Sequence, residues 1–260
     1  MPVQQRVRDL ARRANRPRWQ LPAEFRGLAG IVTALVLAAS AWTFIEISED
    51  VAEGDTARFD TWVLELLRQG DIASQQARPV GPDWLVTAAL DLTSLGSVAV
   101  LVLVVAMTAA FLALKRHFHA MLLVLVCTGL GLVLNLSLKA AFDRERPQSH
   151  LQVVDVSTAS FPSGHAMMSA VTYLTLGALL ASVGKPTRIK IFAGTAAVVV
   201  TVLVGLTRLY LGVHHATDVL AGWAAGLTWA LACWLVAQWL QRRGILSQTA
   251  ASAQMRGIDG

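Results

Sequence analysis

The chain has 260 residues, of which 55% are hydrophobic and 15% are charged, and its mean hydropathy is +0.53. Soluble domains carry about 25% charged residues, so this composition excludes an ordinary soluble domain and favours an integral membrane protein. The net charge of +5 does not indicate a nucleic-acid partner, because the basic residues form short clusters between apolar runs.

An arginine-rich segment, residues 1–27, precedes an apolar run from Leu28 to Ile47. This run is long enough to cross about 30 Å of hydrocarbon as a helix, and its long basic lead favours an uncleaved span over a secretory signal. Five more spans are predicted, at about Ser97–Leu114, Ala120–Leu138, His165–Val183, Ile191–Leu206 and Val219–Leu240. The start of the second span stays open, because Trp84–Leu92 is also apolar.

The acidic segment 48–83 separates the first two spans. Its apolar residues recur at helical spacing, at positions Phe59, Trp62, Val63, Leu66 and Leu67. This pattern predicts an amphipathic helix lying on the outer membrane surface. A small cap packed on the other helices is the alternative.

Six spans place both termini on one side of the membrane. A cytoplasmic N-terminus puts most basic residues on the inner connections and most acidic residues on the outer ones, which satisfies the positive-inside rule. We therefore predict an all-α protein, a six-helix transmembrane bundle of the cell (inner) membrane. Its parts are a cytoplasmic basic segment (1–27), a six-span domain (28–243) and a disordered cytoplasmic tail (244–260).

Four basic residues contradict this trend, because they lie at outer helix ends: Lys139, Arg144, Arg146 and Arg208. Charges so placed indicate function, although pairing with outer acids or lipid headgroups is the alternative. Lys139 ends the third span, and Pro147 stops any helix after Arg146. Lysine and arginine held in this way could bind a phosphate.

Two histidine motifs lie beside these cations. Ser163, Gly164 and His165 open the fourth span, where Ser163 is a candidate N-cap and the helix N-terminus is an anion site. An ordinary helix start with an interfacial histidine is the alternative. Before the sixth span, His214 and Asp218 share a face if this stretch is helical, so the carboxylate would orient the imidazole.

The neighbouring His215 would point away from that face, with no carboxylate at the required spacing, and is interpreted as a bystander. No cluster of carboxylates or cysteines is available at these connections for a metal. Phosphoryl transfer needs charge neutralised on the phosphoryl oxygens, and here lysine and arginine would do what Mg²⁺ does elsewhere.

The ordered motifs Lys-x6-Arg-Pro, Pro-Ser-Gly-His and Thr-Arg-x5-His-x3-Asp, ending at Asp218, resemble the type 2 phosphatidic acid phosphatase (PAP2) superfamily over residues 95–221. Thr207 stands where that family commonly has serine, and it keeps the hydroxyl.

The resemblance implies that His214 attacks phosphorus, that Asp218 orients it, and that His165 protonates the leaving oxygen before helping water attack. It also implies a phosphate-binding set without a cofactor: Lys139, Arg146, Ser163, the Gly164 backbone and Arg208. Arg144 matches no fixed motif position, and we interpret it as a possible substrate or headgroup contact.

We therefore expect a lipid phosphatase with its site facing the periplasm or exterior, whose partners are its lipid phosphate substrate and membrane lipids. Undecaprenyl diphosphate is the favoured substrate by analogy; phosphatidylglycerophosphate, phosphatidic acid and lipid A phosphate are alternatives. Lipid phosphotransfer by the same histidine remains open. The motifs also resemble vanadium haloperoxidases, which are soluble. A non-enzymatic transporter is disfavoured, because transporters place ionisable groups near the midplane.

Overall fold

The computed structural model describes residues 23–70, 77–148, 151–154, 158–182 and 186–242. The predicted C-terminal tail and most of the basic N-terminal segment lie outside these residues. The helices are α1 (Ala23–Glu53), α2 (Ala57–Leu66), α3 (Asp83–Thr93), α4 (Val98–Leu114), α5 (Phe118–Phe142), α6 (Gly164–Ser169), α7 (Thr175–Ser182), α8 (Thr187–Tyr210) and α9 (Ala216–Arg242). Two short strands, β1 (Arg68–Gln69) and β2 (Arg78–Pro79), pair antiparallel after α2.

The long helices confirm the prediction of a multi-pass, all-α bundle. Five of them are long and apolar enough to cross a membrane, and a sixth span results if the bent pair α3–α4 is counted as one. The bend of 47° lies between Asp83–Gly96 and Val98–Leu114. It explains why the start of the second span could not be placed: both halves are apolar, and a 3₁₀ turn joins them.

Apolar side chains cover the outside of the bundle and small residues line its inside. On α4, for example, Leu103, Met107 and Phe111 are exposed, as expected of side chains that face lipid. Within the bundle, Gly205 of α8 lies directly against the indole ring of Trp223 on α9. Such small residues let membrane helices approach closely, and α9 thereby contacts α1, α5, α6 and α8.

The fourth span is not a regular helix. A π-helical turn, Ala170–Leu174, separates α6 from α7, and turns of this kind are common near functional sites. The span begins at Gly164 on the same end of the bundle at which α5 and α8 finish and α9 starts. Four chain segments that carry the predicted site residues therefore meet at this end.

The amphipathic helix α2 has one face buried and one exposed. Phe59, Trp62 and Leu66 are exposed, whereas Asp60 is only 1% exposed and contacts α9. The helix therefore combines the two predicted alternatives, since it packs on the bundle through a polar residue and keeps its apolar face outward. Nearby, buried Arg68 of β1 donates hydrogen bonds to the carbonyls of Leu67, Tyr210 and Leu151 and so ties this segment to the site loops.

Candidate active site

The histidine-bearing connection between α8 and α9 is a tight turn. Gly212 has a φ of +71°, and a Cβ there would collide with the Leu151 carbonyl oxygen, so only glycine fits. The stretch from His214 to Asp218 is therefore not one continuous helix, so the condition under which the spacing would place the two side chains on one face is not met. The two residues still meet, because Asp218 lies in the first turn of α9 and His214 just before it: Nδ1 of His214 is 3.4 Å from Oδ2 of Asp218.

The hydrogen bonds around His214 define its tautomer. Nε2 lies 3.1 Å from Nη1 of Arg146, and because a guanidinium can only donate, Nε2 must accept. The ring proton is therefore on Nδ1, which faces Asp218 and lies 3.3 Å from Oγ of Ser160. Ser160 in turn donates to Oδ2 of Asp218 at 2.5 Å. This arrangement leaves the lone pair of Nε2 pointing away from the carboxylate.

Burial keeps His214 neutral. Its side chain is 2% exposed, and burial lowers its pKa from 6.5 to about 3, against the opposing effect of the hydrogen bond to Asp218. A neutral imidazole retains the lone pair that nucleophilic attack requires. The same burial lowers the pKa of Arg146.

The environment of His215 differs from the prediction. Its backbone N–H donates to Oδ2 of Asp218 at 2.8 Å, as in a capping box in which the third helical residue reaches back to the N-cap. Its Nδ1 also lies 3.4 Å from the same oxygen, without a hydrogen-bond alignment. No carboxylate stands four residues after His215, as the sequence indicated, but the turn brings the residue before α9 back over Asp218, three residues away. Its side chain is 21% exposed.

Lys139, Arg146 and Arg208 converge on the histidines. Lys139 and Arg146 both donate to the carbonyl of Ala159, and Arg146 also donates to the Val213 carbonyl. Arg208 is 6% exposed and donates to Oγ1 of Thr93 at 3.1 Å. Its Nε is buried and has no hydrogen-bond partner among the described residues.

The start of α6 completes the cluster. Ser163 occupies the N-cap position, but its side chain forms no capping bond, and its buried Oγ has no partner in the described ranges. Ser163 therefore holds the predicted N-cap position without the side-chain hydrogen bond that usually accompanies it. A Cβ on Gly164 would lie 3.6 Å from Cε of Lys139, and His165 packs on Gly96 within the electrostatic reach of Arg208.

The interpretation of Arg144 as a possible substrate or headgroup contact is not supported, and the alternative that was left open, pairing with acids, describes it better. Its Nη1 donates to Asp218 and its Nη2 to Asp60, both at 2.7 Å, so it is a bridge between two buried carboxylates. Sequence reasoning also missed Asp60, Ser160 and Thr217. The signals were weak: Asp60 is one of two acids on α2, and Ser160 closely precedes the Pro-Ser-Gly-His motif.

The cluster has the chemistry of an anion site beside a nucleophile. It combines a neutral, oriented imidazole, three cations, a helix N-terminus and buried donors that lack a partner among the residues the structure describes. Together these groups suit a tetrahedral oxyanion. Across the described parts of the chain, no three side chains of histidine, cysteine, aspartate or glutamate are grouped to hold a metal ion.

Comparisons with known proteins place the chain in a family. The sequence model of the PAP2 superfamily matches residues 99–242. Phosphatidylglycerophosphatase B of Bacillus subtilis is 35% identical over 159 residues, which is 59% of this chain and 76% of the relative.

Two solved structures are similar to this one. A transmembrane PAP2-type phosphatidylglycerolphosphate phosphatase from Bacillus subtilis superposes with a TM-score of 0.69 at 27% identity, covering 78% of this chain and 96% of its own. Aquifex aeolicus LpxE matches with a TM-score of 0.48 at 26% identity, over 59% of this chain and 87% of its own.

Proposed function

The chain belongs to the PAP2 superfamily and is a multi-pass membrane lipid phosphatase, and we propose that it hydrolyses a lipid phosphate through a phosphohistidine on His214, without a metal, at the outer membrane face. The observation that carries the mechanism is the hydrogen-bonded state of His214, whose proton lies on the Asp218 side. Its Nε2 lone pair accepts a hydrogen bond from Arg146, and it would become available to phosphorus as the phosphoryl oxygens take over that guanidinium.

In the first step, Nε2 of His214 attacks phosphorus and the bond between phosphorus and the lipid oxygen breaks. His165 donates a proton to the leaving oxygen, so the lipid alcohol departs neutral. Asp218 stabilises the imidazole as it becomes positive, and Nδ1 keeps its proton. In the second step, His165 accepts a proton from water, the water oxygen bonds to phosphorus, and the N–P bond breaks to release inorganic phosphate.

The cations and the start of α6 would bind the phosphoryl oxygens. Lys139, Arg146 and Arg208 supply positive charge, which phosphoryl transfer needs as its transition state forms. Oγ of Ser163 and Nε of Arg208 are buried donors without a partner in the described residues. Buried donors are normally satisfied, so these two support binding of an acceptor-rich group. The Gly164 backbone N–H at the helix N-terminus adds a further donor.

We propose phosphatidylglycerophosphate as the first substrate to test. The support is the similarity to a phosphatidylglycerophosphatase B and to a solved phosphatidylglycerolphosphate phosphatase. Undecaprenyl diphosphate, which the sequence interpretation favoured, rested on analogy and is the second candidate. Basic inner connections support cytoplasmic termini and an outward-facing site.

The test is phosphate release by purified protein in detergent with EDTA. The lipid panel contains phosphatidylglycerophosphate, undecaprenyl diphosphate, phosphatidic acid and lipid A. We expect release that His214→Ala abolishes and the adjacent substitution His215→Ala largely retains. A requirement for Mg²⁺, or loss of activity only in His215→Ala, would contradict the mechanism. Adding a sugar or lipid alcohol and analysing the products separates hydrolysis from phosphotransfer.

A further inference from the structure

One arginine side chain connects the outer helix α2 to the site. Nη1 of Arg144 donates to Asp218 Oδ1 at 2.7 Å and to Thr217 Oγ1 at 2.8 Å. Nη2 donates to Asp60 Oδ2 at 2.7 Å and to Thr56 Oγ1 at 3.1 Å. Each terminal nitrogen carries two hydrogens, so these four acceptors use all of them.

Asp60 also holds the start of α9 directly. Its Oδ1 accepts a hydrogen bond from the backbone N–H of Thr217 at 2.9 Å, and its Oδ2 accepts one from the Thr217 hydroxyl at 2.7 Å. The first N–H groups of a helix lack partners within it. Here two carboxylates supply them: Asp60 binds the N–H of Thr217, and Asp218 binds that of His215.

We propose that Asp60 and Arg144 are positioning residues for the reaction: together they hold Asp218 so that its Oδ2 faces His214. The inference rests on the function proposed above. With Oδ1 bound to Arg144, the carboxylate cannot rotate, and Oδ2 stays with Ser160 and Nδ1 of His214.

The negative charge of Asp60 has a second role, because it compensates the positive charge of Arg144 near His214. The imidazole becomes positive as it attacks phosphorus, and Arg146 already lies 3.1 Å from Nε2 of His214. An uncompensated Arg144 would place another cation near it, which disfavours that positive charge. The carboxylate of Asp60, 2.7 Å from Arg144 and 1% exposed, balances it. Helix α2 is therefore part of the catalytic assembly.

The first test compares Asp60→Asn with Glu65→Gln. The Asp60→Asn substitution keeps the size of the side chain and an acceptor for Thr217, but removes the charge that pairs with Arg144. Glu65→Gln removes one exposed carboxylate from the same helix and is the matched control. We expect kcat of Asp60→Asn to fall about 10- to 100-fold, because a small misplacement of the catalytic groups has effects of this size. KM should change by less than about threefold, and the control should match wild type.

A double-mutant cycle tests whether Asp60 acts through Arg144. If it does, Asp60→Asn combined with Arg144→Gln should lose no more activity than Arg144→Gln alone, whereas independent effects would multiply. Thr56→Val removes one acceptor of Nη2 with little change in shape, and should lower kcat about 3- to 10-fold. If Asp60→Asn does not fold, Thr56→Val tests the positioning role on its own.

An activity-independent measurement separates this inference from the proposed function. The Nδ1–H proton of His214 in ¹⁵N-histidine-labelled protein, assigned by its loss in His214→Asn, reports the contact with Asp218. We expect Asp60→Asn and Thr56→Val to shift or broaden this signal and Glu65→Gln to leave it unchanged. An unchanged signal with kcat within about twofold of wild type in the folded variants would overturn the positioning role. A wild-type protein inactive on every lipid would instead refute the proposed function, and the NMR comparison would still decide the positioning.

Discussion

The two halves of the site differ in how completely their polar groups are satisfied. The nucleophile half is defined by His214, Asp218 and Ser160. Both carboxylate oxygens of Asp218 accept hydrogen bonds. The two ring nitrogens of His214 lie within hydrogen-bond distance of Arg146 and Ser160. In the phosphate half, defined by Ser163 and Arg208, Oγ and Nε are buried without a partner among the described residues. The nucleophile is thus held by the protein itself, whereas the phosphate half has donors left for a substrate.

Removing a cation from the phosphate half should have the largest effect. Arg208→Ala is expected to lower kcat about 100- to 1,000-fold, since it removes a buried donor aimed at developing negative charge. The free energy of unfolding should fall little, because Arg208 makes one side-chain hydrogen bond within the described part of the chain, to Thr93. Steady-state kinetics and thermal unfolding in detergent measure the two effects. Arg188→Ala, at the exposed end of the same helix, is the control; equal losses in the two variants would contradict the account.

Ser160 and Ser163 allow a direct comparison of the halves. Ser160→Ala removes the hydroxyl between His214 and Asp218 and should destabilise the protein by about 1–3 kcal/mol, because it leaves buried partners unsatisfied. Ser163→Ala removes a hydroxyl without a partner among the described residues, so its melting temperature should equal or exceed that of wild type.

Both serine variants should lose activity, Ser163→Ala by about tenfold through a weaker hold on the phosphate. A Ser163→Ala protein as destabilised as Ser160→Ala would show that the two halves do not differ in the way described.

The last prediction concerns the dependence of stability on pH. Burial lowers the pKa of His214 from 6.5 to about 3. Between these two pH values the imidazole is protonated in the unfolded state and neutral in the folded state. Protonation of His214 therefore leaves the free energy of unfolding unchanged above pH 6.5 and lowers it progressively as the pH falls towards 3. At about pH 5 the loss should be about 2 kcal/mol. His214→Asn should show a shallower fall in melting temperature between pH 7 and 5 than wild type; parallel curves would contradict the buried, neutral state.

The spans, and the positions of most candidate site residues at helix ends, could be predicted from the sequence because their signals are local. Each long apolar run forms a helix regardless of its neighbours, and the three motifs place Lys139, His165 and His214 at helix ends by spacing alone. These ends meet because the spans alternate in direction. The bend at Ser94–Gly96 was harder to predict, since an apolar run continues on both sides of it.

The remaining features depend on contacts between distant segments. Asp60 reaches Thr217 only once α2 has folded back over α9, and no spacing rule connects them. The contact of His215 with Asp218 depends on the left-handed Gly212, which ends the helical path that the spacing suggested. Arg144 looked available to a substrate because its two carboxylate partners lie far away in sequence or in another motif.

The most direct test of the central claim is to trap the phosphoenzyme. Wild-type protein is mixed with lipid phosphate in EDTA, quenched in alkali, which preserves phosphohistidine, and digested for mass spectrometry. We expect a phosphate on His214 that is absent in His214→Ala. In His165→Ala, supplied with a substrate whose leaving group needs no proton, this phosphate should accumulate. A phosphate on His165 or His215, or phosphate release with no phosphoenzyme in either protein, would contradict this expectation.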